Sequence, residues 1–290
     1  MNKIFISILC CFVLCFGLVL GRELGAGTPE ESRLCYQPLP EVVGVQNTLP
    51  HTEVLPPENI LPQTDNAPGQ AQPVGHAHAF PKGILPGDLV QSLLVPVVDP
   101  DPPNEELQKY VHSQVHVSGD TVRITAVEED GQYLSAQVKS SIAFLYCDFT
   151  FRVNTVRGAG LVPAIWMLPA SGAQLPEVDI YEALGSYPDR VYGVMHYLES
   201  GVHQRRHFVH KSAADSHTVR LHWTADQISW YVDGVLQQSV TDHVPQEPMY
   251  LLINLAVGGD WPGAPTADTV FPAVFETEVL EFLPENIYIR

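Results

Sequence analysis

The chain has 290 residues, which is enough for one large all-β domain with additional sequence or for two small domains. Acidic residues outnumber basic residues by 33 to 15, so the formal net charge is −18. We expect no binding to nucleic acid or to an anionic membrane surface, because both would repel such a chain.

The N-terminal segment is typical of a secretory signal peptide. Lys3 precedes an apolar run at residues 4–20, and one positive charge ahead of a short apolar run is the usual pattern. We therefore predict a signal peptide at residues 1–21 and a secreted protein. The run is near the lower length limit of a membrane-spanning helix, so an uncleaved anchor is the alternative. Cys35 and Cys147 follow this segment. The sequence is compatible both with a disulfide between them and with two separate thiols.

Residues 22–84 have the composition of an extended or disordered arm. Fifteen of the 25 prolines fall within residues 22–103, and proline removes backbone donors that a sheet needs. Apolar residues between positions 84 and 95 favour an alternative, in which this segment wraps around the domain. His76 and His78 lie two residues apart in the arm, and two histidines in an extended segment are too few to predict a metal site. We predict no cofactor and no metal ligand, and leave a structural calcium ion open.

Residues 85–290 have the alternating pattern of an antiparallel β domain. Apolar and polar residues alternate in segments 115–126, 219–223 and 228–232. Turn signals such as Asp233-Gly234 recur about every ten residues, and no long segment has helical periodicity. This pattern of alternating residues and frequent turns predicts an all-β sandwich or jelly roll. Trp230 shares its predicted face with apolar neighbours, so we expect it and Trp223 to be core residues.

Three acids are concentrated in Glu177-Val178-Asp179-Ile180-Tyr181-Glu182. The β-branched and aromatic neighbours predict a strand, on which Glu177 and Asp179 share a face. Glu182 is an odd number of residues from both, so it joins them only if the strand contains a one-residue bulge before it. A sheet face exposed to water, or a calcium site, is the alternative role for such acids.

With that bulge, the Cα atoms of the outer acids lie roughly 13 Å apart, and carboxyl groups that lean together approach to about 5–6 Å. This separation is typical of a retaining glycosidase, in which one carboxylate attacks the sugar directly. Crowded acids on a half-buried strand also repel one another, so one of them holds its proton, as a general acid must.

The acids and several other segments together resemble glycoside hydrolase family 16, in its laminarinase-like β-1,3-glucanase branch. The acid pattern is Glu-x-Asp-x-x-Glu, and the other matches occur in family order across residues 104 to about 282. The matching segments are Asn104-Glu105-Glu106-Leu107-Gln108-Lys109-Tyr110, Pro163-Ala164-Ile165-Trp166-Met167-Leu168, Met195-His196-Tyr197, residues 217–234, residues 254–263 and Phe271-Pro272.

The resemblance implies a concanavalin-like jelly roll with a concave substrate cleft, working as a monomer on β-glucan. It implies that Glu177 is the nucleophile, that Glu182 is the general acid and then the base, and that Asp179 lies between them and tunes their pKa values. The sugar-binding residues that it implies are Arg152, Trp166, His196, Asn254 and Trp261.

The chain also departs from the family pattern. Val162 stands where a Trp is usual, Pro176 replaces a Gly, and Cys147 and Thr150 replace a Gly and a Glu. These changes concern substrate preference more than chemistry. The alternatives to an endo-β-glucanase are a transglycosylase or a hydrolase of another β-glycan, a non-catalytic glucan-recognition protein on the same fold, and an adhesive surface protein.

Overall fold

Alternating apolar side chains build this chain almost entirely from strands. The computed structural model describes residues 77–78, 90, 94–97 and 105–288. In chain order the strands are β1 (Ala77–His78), β2 (Leu94–Val97), β3 (Gln108–Tyr110), β4 (Val115–Ser118), β5 (Thr121–Glu129), β6 (Gln132–Ser135), β7 (Gln137–Ser140), β8 (Ala143–Asn154), β9 (Leu161–Pro169), β10 (Glu177–Glu182), β11 (Arg190–Glu199), β12 (Val202–Lys211), β13 (Ser216–Trp223), β14 (Ile228–Val232), β15 (Val235–Val240), β16 (Met249–Val257) and β17 (Ala273–Tyr288). One 3₁₀ turn, His112–Gln114, lies before β4.

The strands form two antiparallel layers. The first sheet has the order β2–β7–β16–β9–β10–β11–β12. The second has the order β15–β14–β13–β8–β17–β5–β4, and β1 pairs with the end of β17. A parallel pair, β3 with β6, lies beside β5. The predicted all-β sandwich, or jelly roll, is therefore confirmed.

The core lies between the two sheets, because each strand turns alternate apolar residues inward. In β8, every second residue from Cys147 to Val153 is buried, and the residues between them face outward. Trp223 and Trp230 are each only 1% exposed and belong to this core, as predicted. The two sheets therefore share one hydrophobic core rather than forming two domains.

The first sheet is apolar on both faces at its centre. All nine residues of β16 are buried, although only alternate ones face the core. On the opposite face, Tyr250 and Leu252 form a second cluster with Trp166 and Leu168 of β9. We call this side of the first sheet the outer face; it is the surface on which the site is built.

The predicted signal peptide at residues 1–21 and nearly all of the predicted arm at residues 22–84 lie outside the described residues. Within that arm, Ala77 and His78 are described, and they pair with the end of β17. Cys147 is a buried thiol without a disulfide partner among the described residues, and burial raises its pKa; Cys35 lies outside those residues. No helix in the described ranges is long and apolar enough to span a bilayer.

Candidate active site

A bulge in β10 places the three acids in one row. Glu177 lies opposite His196 of β11, and Asp179 lies opposite Val194. The next pair joins Glu182 to Tyr192, so three steps along β10 match two along β11. The register against β9 shifts at the same point. The bulge predicted from the spacing of the acids is confirmed, and it returns Glu182 to the face of Glu177 and Asp179.

The bulge is held from the core side. Ile180 and Tyr181 are consecutive residues, yet both are buried in the core, which a regular strand would not allow. The indole Nε1 of Trp230 donates a hydrogen bond of 2.9 Å to the backbone carbonyl of Asp179. Gly193 makes room for this indole, because a Cβ atom there would lie 2.9 Å from Trp230 and 2.3 Å from Phe208. The second sheet thus supports the backbone of the acid row.

Asp179 is the buried centre of the row, with 2% of its surface exposed. Burial raises its pKa well above the ordinary value, and the neighbouring Glu177 raises it further by charge and by a hydrogen bond. The raised pKa favours the protonated form of Asp179, which donates a hydrogen bond to Glu177. Its other side faces the imidazole of His196, whose Nε2 lies 3.4 Å from Asp179 Oδ2.

Glu182, at the far end of the row, has the properties of a general acid. Burial raises the pKa of its carboxyl group well above the usual range, and the charges of Asp179 and Glu177 act in the same direction. The positive charges of His196 and Arg205 oppose this effect without reversing it. Glu182 thus holds a proton at a pH at which an exposed glutamate has lost it.

A basic flank lies beside the acids on β12, and the sequence analysis did not identify it. Arg205 lies opposite His196 in the register, and His203 Nε2 lies 3.0 Å from His196 Nδ1. His203 and His207 both have pKa values lowered first by burial and then by neighbouring positive charge. Alternate residues of a strand share a face, so the spacing of His203, Arg205 and His207 was a usable signal.

The opposite flank is aromatic and amide-rich. Trp166 lies opposite Asp179 in the register of β9 with β10, and its Nε1 donates to Asn254 Oδ1 at 2.7 Å. The amide of Asn254 in turn donates to Tyr110 Oη at 3.0 Å. Trp166 is held by this chain of hydrogen bonds with its ring partly exposed on the outer face. Tyr110 belongs to a segment recognised by its resemblance, but its side-chain role was missed.

Trp261 and Val162 complete the outer face. The ring of Trp261 meets Tyr192 edge to face at 5.3 Å, and Tyr192 is the register partner of Glu182. Trp261 therefore lies near the Glu182 end of the row. Val162 alternates with Ala164 and Trp166 along β9, so the aromatic ring that it replaces would have stood on this face.

Arg152 is the one predicted site residue that the structure does not bring to the acids. It lies on β8 in the second sheet, where its neighbours Phe151 and Val153 point into the core. Alternation therefore turns Arg152 outward from the far side of the sandwich. There it forms an ion pair with Glu278 of β17, its register partner. Arg152 is thus placed in an ion pair of the second sheet, on the opposite side of the sandwich from the acid row.

Two clusters in the described part of the chain bring potential metal ligands together. Glu177, Asp179 and His196 each offer an atom within 4.8 Å of the others. A second cluster, outside the acid row, also has one potential ligand atom from each residue within 4.8 Å of the others; it consists of His210, His217 and Asp233. The first cluster is part of the acid row itself.

The chain is similar to known carbohydrate-active proteins. Residues 104–270 match the family described as "Glycosyl hydrolases family 16". A "Beta-glucanase" of Rhodothermus marinus is 34% identical over 203 residues, which are 59% of this chain and 71% of that protein. The "Glucan endo-1,3-beta-glucosidase A1" of Niallia circulans is 30% identical over 223 residues, 63% of this chain but only 33% of the relative.

A solved structure gives the same result for the fold. The endo-beta-1,3-glucanase of Pyrococcus furiosus superimposes with a TM-score of 0.57 and 27% identity, covering 67% of this chain and 90% of that one. The match in sequence and the match in fold therefore concern the same β domain. This chain spans most of one curated relative and about a third of the other.

Proposed function

Since the chain belongs to glycosyl hydrolases family 16 and is a glycoside hydrolase, we propose that it is a secreted, retaining endo-β-glucanase that cleaves β-1,3 linkages. The main support is the bulge in β10, which puts two glutamates and the aspartate between them on one face. The preference for β-1,3 linkages rests on relatives named for that activity in Niallia circulans and Pyrococcus furiosus.

In the first step, the carboxylate of Glu177 attacks the anomeric carbon while Glu182 gives its proton to the oxygen of the departing sugar. The glycosidic C–O bond breaks, and a covalent glycosyl ester forms on Glu177. The raised pKa of Glu182 supports this assignment, because the acid must be protonated when the substrate binds. Asp179 donates a hydrogen bond to Glu177 and orients it.

In the second step, Glu182 is a carboxylate and removes a proton from an incoming water molecule. The water oxygen attacks the anomeric carbon, the ester bond to Glu177 breaks, and the sugar leaves with its original configuration after two inversions. A sugar hydroxyl in place of water would give transglycosylation. On the flanks, Trp166 and Trp261 offer ring faces to the sugars, and His196 and Asn254 offer hydrogen bonds.

The test measures new reducing ends on laminarin, mixed-linkage glucan, agarose and carrageenan. We expect turnover on laminarin, loss of at least about 1,000-fold in Glu177→Gln, and normal activity in Glu129→Gln, which alters an exposed glutamate on β5. Glu182→Gln should keep more activity on aryl glycosides, whose leaving groups need no proton. Proton NMR of the first product should show the retained anomer.

Several outcomes would change the assignment. Inversion of the anomer would contradict the roles of both glutamates. Tight laminarin binding without turnover, equal in the native protein and Glu177→Gln, would instead support a recognition protein, which the loss of an aromatic ring at Val162 favours. Longer products than the starting glucan would indicate transglycosylation.

The remaining organisation is part of the same proposal. We place the catalytic domain at residues 85–290, after a signal peptide at 1–21 and an arm at 22–84, and we expect a monomer. N-terminal sequencing of the exported protein and light scattering test these points. A mature chain that starts at Met1 and stays membrane-bound would show that residues 4–20 are an anchor.

A further inference from the structure

Three potential metal ligands meet at the edge of the sandwich, away from the acids. His210 lies on β12 in the first sheet, whereas His217 is the second residue of β13 in the second sheet. Asp233 lies in the turn between β14 and β15. One donor atom of each residue lies within 4.8 Å of those of the other two. The cluster therefore lies beside residues 212–215, which connect β12 of the first sheet to β13 of the second.

Each histidine ring of the cluster is held by a contact with an oxygen atom. His217 Nδ1 lies 2.8 Å from Asp233 Oδ2, and His210 Nδ1 lies 3.3 Å from Gln237 Oε1. Gln237 Oε1 is an acceptor, so His210 Nδ1 carries the hydrogen atom, the orientation of its ring is fixed and its Nε2 keeps a lone pair. An ion bound between His217 Nδ1 and Asp233 Oδ2 would take the place of the hydrogen atom that these two atoms share, and the hydrogen atom of the His217 ring would then lie on Nε2.

The carboxylate is held rigidly. Asp233 and Gly234 have φ values of 50° and 77°, as a tight two-residue hairpin requires. Asp233 also donates its backbone N–H to Thr218 O at 2.7 Å, and its Oδ1 accepts the backbone N–H of Thr218 at 2.8 Å. This network fixes Asp233 against His217 before any ion binds, which lowers the entropic cost of assembling a site.

The residues of the cluster differ in the exposed fraction of their side chains. The side chain of His217 is 3% exposed, and that of Asp233 is 45% exposed. An ion can therefore reach the site from the Asp233 side and keep a water molecule as a further ligand. His210 is an odd number of residues from His203, Arg205 and His207, so alternation turns it away from the acid row.

We propose that His210, His217 and Asp233 bind a divalent transition metal ion of the zinc class, which ties β12 to the second sheet. Two imidazoles and one carboxylate favour zinc over calcium or magnesium, which prefer oxygen ligands. Ligand atoms around tetrahedral zinc lie about 3.4 Å apart, so the side chains need to close by at most about 1.4 Å. The ion stabilises the edge of the sandwich and takes no part in hydrolysis.

The experiment uses full-length protein without a histidine tag, stripped of metal with EDTA. Calorimetric titration with ZnCl₂ should show one site, and Co²⁺ should produce the visible absorption of tetrahedral coordination. Zinc at about 100 times its Kd should raise the Tm by roughly 5–10 °C. Hydrolysis of laminarin by the apo and zinc-loaded protein should be equal at a temperature where both are folded.

His210→Gln should abolish both the binding and the rise in Tm, and it changes only a partly exposed side chain. His222→Gln is the matched control, because His222 also pairs with an aspartate, Asp148, at 2.8 Å but is not part of this cluster. A double variant, His76→Gln with His78→Gln, tests the histidine pair near the N-terminus. Both controls should bind zinc normally.

Zinc binding that survives in His210→Gln would overturn the proposal, as would the absence of any binding to the native protein. Binding lost only in the His76/His78 variant would place the ion in the N-terminal segment instead. Zinc that inhibits hydrolysis and fails to bind His196→Gln would place it at the acids, which also contradicts the proposal.

Discussion

Replacing Trp230 by Phe tests whether the second sheet supports the acid row. The change keeps an aromatic ring in the core but removes the Nε1 donor that bonds to the carbonyl of Asp179 at 2.9 Å. That carbonyl lies at the bulge and would lose a buried partner. We therefore expect the bulge to loosen, and Asp179 and Glu182 to lose the geometry that catalysis needs.

The magnitude follows from two contributions. A buried carbonyl left without its partner costs about 1–3 kcal/mol, and the smaller ring adds about 1 kcal/mol of lost packing. The total of roughly 2–4 kcal/mol corresponds to a fall in Tm of about 5–15 °C for a domain of this size. Misplacement of the acids by even 1 Å would lower kcat/KM by about 100-fold.

Trp223→Phe is the matched control. Trp223 is as deeply buried as Trp230, and its Nε1 also donates to a backbone carbonyl, that of Pro245, at 3.2 Å. Thermal melts should show similar losses of stability in both variants. Laminarin kinetics below both melting temperatures should show a fall in kcat/KM for Trp230→Phe alone. Equal kinetics in the two variants would refute the idea that the indole supports the acids.

Two further predictions concern the titrating groups. Because the pKa of Asp179 is raised in the folded state, the native protein keeps a proton that the unfolded chain releases above about pH 4, so stability falls as the pH rises from that value. Asp179→Asn should remove this loss of stability, so its Tm should be higher than that of the native protein at pH 7 but not at pH 4, and its activity should be reduced. A lower Tm than the native protein at pH 7 would contradict the burial argument. Arg205→Gln removes a positive charge that lowers the pKa of Glu182, so the basic limb of the pH profile of kcat/KM should move to higher pH. If the basic limb of Arg205→Gln stays at the same pH as in the native protein, the titration of Glu182 does not determine that limb.

The centre of the site was predictable because its pattern is local. Glu182 is an odd number of residues from both Glu177 and Asp179, and alternation on a strand then requires a bulge for a common face. The same rule placed Trp230 in the core. Both predictions depend only on residues within one strand or hairpin, for which the sequence contains all the necessary information.

The flanks were not predictable in the same way. Arg152 was assigned by resemblance, and its strand has the same alternation whichever sheet it joins. Only the pairing of distant strands, β8 with β17 and β13, shows that it lies on the far side. The hydrogen bond from Asn254 to Tyr110 likewise spans 144 positions of the chain. Such contacts follow from the tertiary fold, which alternation within a strand does not specify.

The bulge also limits how the acid segment can vary. Ile180 and Tyr181 face the core at 1% exposure each, and Val178 is fully buried, so the three residues between the acids are all core residues. A polar side chain at any of them would need an internal partner, and a one-residue insertion or deletion would turn Glu182 to the wrong face. The three x positions of Glu-x-Asp-x-x-Glu are therefore restricted to apolar or aromatic side chains in this chain. A library that randomises them should return few folded proteins outside that class.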